Sequence, residues 1–135
     1  MIVRRARARD LEAVLRLWSA ARSQAASTPD DAPAVALAIE QGGLLVAEDD
    51  GALVGTLIAG WDGWRGNMYR LAVAPDRRRQ GIAAELVEAG EALLRSRGAR
   101  RVTALVARED RVAMALWRAA GYGHDAGIAR FVRNL

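Results

Sequence analysis

Three consecutive arginines, Arg77, Arg78 and Arg79, run into Gln80-Gly81-Ile82-Ala83-Ala84, and this is the stretch of the chain best suited to chemistry. An apolar run, Leu71-Ala72-Val73-Ala74, leads into it and Pro75 closes that run; Ile82, Leu86, Val87, Leu93 and Leu94 then follow at helical spacing. A helix start carries about half a positive charge and amides with no partner inside the helix, so acidic side chains are expected there. Here the arginines occupy that end, while Glu85, Glu88 and Glu91 lie further in. The arrangement is unfavourable until an anion fills the site. Gly81 lets the backbone approach closely, Ala83 and Ala84 keep the first turn open, and the free amides can point at phosphate oxygens. The chemistry this predicts is phosphate or pyrophosphate binding, and the competing reading is a merely basic surface loop.

Other chemistries are excluded by composition. The chain has no cysteine, which rules out disulfides, thiolate metal sites and a cysteine nucleophile, and its single histidine, His124, cannot build a zinc site unaided. We expect no metal. His124 follows Gly121-Tyr122-Gly123 and reads as a surface or sheet-edge residue.

The elements that must hold the arginine loop follow from periodicity and caps. Residues 2–6 read as a strand, and Asp10 as the N-cap of a helix carrying Leu11, Val14, Leu15, Trp18 and Ala21. Thr28-Pro29-Asp30-Asp31 marks the start of a second helix that ends at Gly42-Gly43. Residues 44–48 and 52–60 are apolar runs joined by Asp49-Asp50-Gly51, a hairpin turn. Trp61-Asp62-Gly63-Trp64-Arg65-Gly66 is a second turn, after which residues 67–74 form a strand. A helix over 81–97, a strand over 101–107, a helix capped by Asp110 and ending at Gly121, and a final strand over 122–134 complete the order. Hairpins in the middle and a strand-helix-strand crossover after Pro75 predict a mixed α+β sheet rather than a purely parallel one.

With 135 residues, 52% hydrophobic and 27% charged, the chain is sized for one globular domain over 1–135. No run approaches the ~20 apolar residues that span a bilayer, and the start lacks a signal-like stretch. We expect a cytoplasmic protein without membrane contact. The net charge is +4, with all twenty basic residues arginine and sixteen acids interspersed, the pattern of a solvated surface rather than a nucleic-acid patch.

Arg78-x-x-Gly81-x-Ala83 after an apolar strand resembles the acetyl-CoA motif Arg/Gln-x-x-Gly-x-Gly/Ala of the GNAT superfamily of N-acetyltransferases. Leu71-Ala72-Val73-x-Pro75 precedes it, and Ala115-Leu116-Trp117-Arg118-Ala119-Ala120-Gly121-Tyr122 is similar to the family's later Ala-Leu-Tyr-x-x-x-Gly-Phe/Tyr segment. The resemblance covers essentially the whole chain, and the turn Asp62-Gly63-Trp64-Arg65-Gly66 is similar to that of small bacterial members of undefined substrate. It implies a mostly antiparallel sheet of six to seven strands with about four helices, in which 67–74 splays from 101–107 and pantetheine enters the gap. Backbone groups of Leu71 and Val73 would hold the pantetheine. Amides from Arg79, Gln80, Gly81, Ile82, Ala83 and Ala84 would bind the pyrophosphate, beside Arg78. The acetyl carbonyl would lie near the amides of Ala72 and Val73, and a primary amine would attack it directly. Loss of such oxyanion help costs about 10²–10³ in rate in other acyl-transfer enzymes. The resemblance also implies acetyl-CoA as cofactor, a small-molecule or peptide amine as acceptor, and, by analogy, a homodimer.

Three positions depart from the family's pattern. Trp117 stands where many members have a tyrosine that protonates the departing thiolate; indole cannot serve as that acid, and Trp117 either hydrogen-bonds the sulfur or packs in the core. Arg111 replaces an asparagine that contacts the cofactor and could reach a phosphate instead. Asn67 lies near the position of a glutamate base, and asparagine can position a water but not take a proton. Asp62, Glu109 and Tyr69 are the remaining candidates for a base, each with a structural alternative as turn cap, helix-preceding residue and core aromatic. A weak base favours an α-amine of pKa ~8 over a lysine amine at ~10.4. Among Trp18, Trp61 and Trp64, which flank the acceptor side in this fold, Trp64 is the pick for substrate binding. Two further functions compete with an N-acetyltransferase: a non-catalytic acyl-CoA-binding module, and a nucleic-acid binder, which lacks a reading helix or aromatic platform.

Overall fold

The computed structural model describes residues 1–21 and 31–135. Its elements in chain order are β1 (Ile2–Arg5), α1 (Leu11–Ala20), α2 (Ala32–Glu40), β2 (Leu44–Asp49), β3 (Ala52–Trp61), β4 (Gly66–Val73), α3 (Ile82–Ser96), β5 (Val102–Ala104) and α4 (Arg111–Ala119). Short 3-10 turns at Ala8–Asp10 and Pro75–Arg77 precede α1 and α3.

One sheet runs in the order β1-β2-β3-β4-β5. Its first three pairings are antiparallel and the last, β4 with β5, is parallel. The mixed α+β architecture expected from the sequence is present, with four α-helices about the sheet. Leu45, Ala47, Leu57, Ala59 and Met68 face α3 and Trp117 of α4, while Leu44 and Val46 face Val14 and Trp18 of α1 and Val35 of α2. The sheet is therefore the middle of three layers, which is why β2 is a continuous apolar run instead of an alternating one.

Local chemistry explains the boundaries. Asp31 caps α2 by accepting from the Ala34 amide, and Asp110 caps α4 by accepting from Ala113. Of the residues expected to open α2, Thr28, Pro29 and Asp30 lie outside the described residues. Asp50 and Gly51 both have positive φ in the β2–β3 turn, as Asp-Gly predicts. Asp10 sits at the N-cap of α1 without capping it: its carboxylate accepts instead from the Arg7 amide and from two nitrogens of Arg4. α3 lies tight on the sheet because Gly90 faces it; a Cβ there would stand 2.7 Å from Leu57 Cδ2 and 2.9 Å from Met68 Cε.

The strand count is five among the described residues, against the six to seven expected. Residues 122–134 form no strand. Gly127 closes a turn on Asp125, and beyond it Ile128, Phe131 and Val132 stand exposed, with Phe131 95% accessible. The nearest free edge, that of β5, is flanked by Arg100, Arg101 and Arg108, so the tail's own Arg130 and Arg133 would meet like charge there. The expected strand over 101–107 is correspondingly short, since among the described residues β5 has a partner on one side only.

Candidate functional site

The end of β4 and the start of α3 form one continuous surface. β4 pairs with β5 at Gly66, Asn67 and Met68 only, opposite Val102, Thr103 and Ala104. From Tyr69 onward β4 keeps β3 as its partner and leaves its other edge open. The two parallel strands thus part after Met68. Ala74 donates to the Val54 carbonyl, so by the alternation of an antiparallel ladder Val73 turns its own N–H and C=O toward the gap, while Ala72, opposite Thr56, turns its groups to β3. Val73, rather than Ala72, offers a free amide there.

A bulge sits just before this point. The β3–β4 register shifts between Thr56 and Ile58, and Arg70 adopts φ +52°, a left-handed conformation costly for a residue with a Cβ. A buried relay holds it. Trp18 Nε1 donates to Thr56 Oγ1 at 2.8 Å, Thr56 donates to the Arg70 carbonyl at 3.0 Å, and the Arg70 guanidinium lies 5.2 Å over the Trp18 ring. Trp18 is therefore a core residue with a positioning contact, not a pocket wall. Thr56 was missed in the sequence, where it is one polar residue inside an apolar run.

The arginine loop divides in function. Arg77 is held by Asp49 of β2 at 2.6 Å, so it anchors the loop, leaving Arg78 and Arg79 as the exposed cations. Arg79 and Gly81 have φ +65° and +80°, which curls successive amides toward one side. Among the described residues no side chain caps α3, and the first amide to take an intrahelical role is that of Glu85, bonded to Gly81. The amides of Ile82, Ala83 and Ala84 at its start are those such a helix leaves without an internal partner. No atom lies within 4 Å of where a Gly81 Cβ would stand, so glycine is required here by conformation, and its face is open to a ligand. An uncapped helix start, two guanidiniums that are exposed and unpaired among the described residues, and an open approach fit an anionic group such as a pyrophosphate. Arg111 is exposed at the first turn of α4.

The residues considered for proton transfer are placed as follows. Trp117 is 7% exposed and packs edge-on against Tyr122 with ring centroids 4.9 Å apart, a core tryptophan. Tyr122 donates to Glu91 Oε1 at 3.1 Å, and burial together with that carboxylate pushes its phenol well above the ordinary value. Tyr69 is 41% exposed beside Gly60, and burial and the nearby Asp62 charge raise its pKa, so it stays protonated at neutral pH. Asp62 accepts from the amides of Arg65 and Trp64, which hold its carboxyl below the usual range and make it a turn residue rather than a base. Glu109 is exposed before α4. Asn67 accepts through Oδ1 from the Thr103 hydroxyl across the β4–β5 pair, which leaves its amide N–H groups to donate. Trp64 stands 76% exposed at the tip of the β3–β4 turn, with Arg65 stacked 4.3 Å over its ring, while Trp61 packs against the core. Among the described residues no cluster of histidines, cysteines and carboxylates could hold a metal, and no helix is long and apolar enough to cross a membrane.

Comparison with known proteins bears directly on this geometry. The model of the acetyltransferase (GNAT) family matches residues 9–122. An aminoglycoside 6'-N-acetyltransferase from Acinetobacter haemolyticus superposes with TM-score 0.75 at 19% identity, over 100% of this chain and 99% of that one. A ribosomal-protein-alanine N-acetyltransferase from Brucella melitensis gives TM-score 0.75 at 25% identity, over 90% and 83%. A Mycobacterium tuberculosis protein solved in complex with CoA gives 0.72 at 21%, over 94% and 85%.

Proposed function

The chain belongs to the acetyltransferase (GNAT) family and is an acyltransferase, and from that premise we propose that its one domain, spanning 1–135, moves acetyl from acetyl-CoA to a primary amine by direct attack. The observation that carries this reading is the parting of β4 from β5 after Met68, beside the uncapped start of α3.

Acetyl-CoA, when bound, supplies an activated thioester acetyl group. Arg78, Arg79 and the amides at Gly81, Ile82, Ala83 and Ala84 would hold its anionic end, with Gln80 in the same curl and Arg111, exposed at the first turn of α4, a further cation for a phosphate. Leu71 and Val73 line the gap, and the Val73 amide is the donor suited to a carbonyl oxygen that gains charge. The chain has no cysteine to carry an acyl group, in keeping with direct transfer.

Proton handling is light. Asn67 donates through its amide to a water or to an oxygen of the acceptor, while Tyr69 stays protonated and Asp62 is committed to its turn. Trp117 supplies no proton and packs in the core against Tyr122. A thiol near pKa ~8.5 is a fair leaving group without an acid, and an α-amine at ~8 needs little help to lose its proton. The acceptor is therefore an α-amine of a small molecule or peptide, with Trp64 beside it.

The test is calorimetry with acetyl-CoA together with thiol release over an amine panel. We expect binding at micromolar ligand and faster release with α-amines than with lysine side chains; undetectable binding at millimolar acetyl-CoA would sink the proposal.

A further inference from the structure

An open groove of about 920 Å³ runs along the outer side of β5, walled by the end of α3, by α4 and by residues 121–130. Arg95, Arg100, Arg101, Arg108, Arg118 and Arg130 line it. All are exposed. Only two carboxylates, Glu91 and Asp125, share the lining, and Glu91 is already bonded to Tyr122. The chain has twenty arginines and sixteen carboxylates; with six and two of these in the groove, fourteen of each remain elsewhere. The whole excess of positive charge therefore sits along this one feature.

The groove's floor is a strand edge. β5 bonds to β4 on one side, and among the described residues nothing bonds to its other edge. An exposed edge offers alternating N–H and C=O groups that an extended peptide satisfies by adding a strand. Charge decides which peptide. The chain's own tail carries Arg130 and Arg133, and a second copy would bring the same cations, so self-pairing is opposed. A polycationic acceptor such as an aminoglycoside is repelled for the same reason. Nucleic acid would match the charge but not the strand edge, and the groove's two large aromatics, Trp117 and Tyr122, pack edge-on against each other, with the Tyr122 hydroxyl bonded to Glu91, rather than standing free to stack on bases.

We propose that the groove docks an acidic polypeptide in extended form, and that this polypeptide is the amine acceptor. The proposal rests on the acetyl-transfer reading above. It links the two sites through Thr103, which lines the groove and hydrogen-bonds to Asn67 at the mouth of the β4–β5 gap. A peptide lying along the free edge of β5 is one strand spacing, about 4.8 Å, from β5 and two, about 9.6 Å, from β4, so its free N-terminus reaches the gap by turning over the end of β5.

The experiment titrates the full chain with a glutamate-rich peptide bearing a free N-terminus and a C-terminal fluorophore, its lysine-rich counterpart, and a single-stranded oligonucleotide, following anisotropy. Acetyl-CoA binding and thiol release are measured separately. We expect the glutamate peptide alone to bind, with affinity that falls as salt rises, and to be acetylated. Arg100→Glu combined with Arg101→Glu should weaken that binding at least about tenfold while acetyl-CoA affinity and the circular dichroism spectrum stay unchanged. Equal binding of both peptides, an unaffected double variant, tighter binding of the oligonucleotide, or a parallel loss of acetyl-CoA affinity would each overturn it. Transfer to small amines without peptide binding would overturn the docking site and leave the activity; peptide binding without any acetyl-CoA binding would overturn the activity and leave the groove a binding site only.

Discussion

Thr56 has no accessible surface, and its hydroxyl serves two groups at once: it accepts from the Trp18 indole and donates to the Arg70 carbonyl. Thr56→Val keeps the shape and leaves a buried donor and a buried acceptor without partners, each costing about 1–3 kcal/mol. We expect urea denaturation to show a loss of about 2 kcal/mol or more, largely restored by Thr56→Ser, and acetyl transfer to fall with it because Arg70 sets the backbone leading into the gap. Tyr69→Phe should behave differently. A true general base contributes about 10²–10⁴ in rate, whereas a phenol kept protonated by burial and by Asp62 predicts a change in kcat under about threefold. Contacts of this kind were not legible in the sequence, since Trp18 and Thr56 lie 38 residues apart and nothing in either segment's periodicity pairs them. The loop arginines were legible as a group but not individually: only the folded chain brings Asp49 to Arg77 and separates an anchor from two exposed cations.

At the level of elements, the start of α3 concentrates the most testable claim. Gly81→Ala meets no neighbouring atom, so its effect comes through the positive φ alone, a strain of about 1–2 kcal/mol for a residue with a Cβ. Calorimetry should find acetyl-CoA binding about tenfold weaker, equivalent to ~1.4 kcal/mol. Gly90→Val acts on the same helix by packing: its Cβ would press on Leu57 and Met68, both buried, for a loss of about 1–3 kcal/mol in thermal or chemical unfolding. Most elements were readable because their ends carry local chemistry. Asp31 and Asp110 cap helices, Gly42, Gly98 and Gly121 end them with positive φ, and Asp50-Gly51 turns the hairpin. The final strand was not readable. Ile128, Phe131 and Val132 supply apolar residues, but a strand exists only where an edge accepts it, and the edge available is ringed with arginine.

Across the whole molecule, the choice of arginine over lysine shapes the response to pH. With no lysine and no cysteine, Tyr69 and Tyr122 are the only side chains whose ordinary pKa lies between ~9 and ~12. Both have folded pKa values raised above 10.0. Their contribution to stability is thus intact below pH 10 and is lost as pH climbs, because the unfolded chain releases those protons first. Tyr122→Phe should flatten the alkaline limb of a stability-against-pH curve measured by urea unfolding. At the acid end the sign reverses. Asp10, held below its ordinary 3.8 by Arg4 and the Arg7 amide, contributes above that value and loses its contribution as pH falls through the folded pKa. The three-residue seam between β4 and β5 has a consequence in time. A parallel pairing of three positions at a sheet edge opens locally at far lower cost than the global unfolding that would free β2 or β3. Amide hydrogens of Val102, Thr103 and Ala104 should exchange orders of magnitude faster than those of Val46 or Leu57, and a ligand wedged into the gap should slow the seam while leaving the central strands as they were.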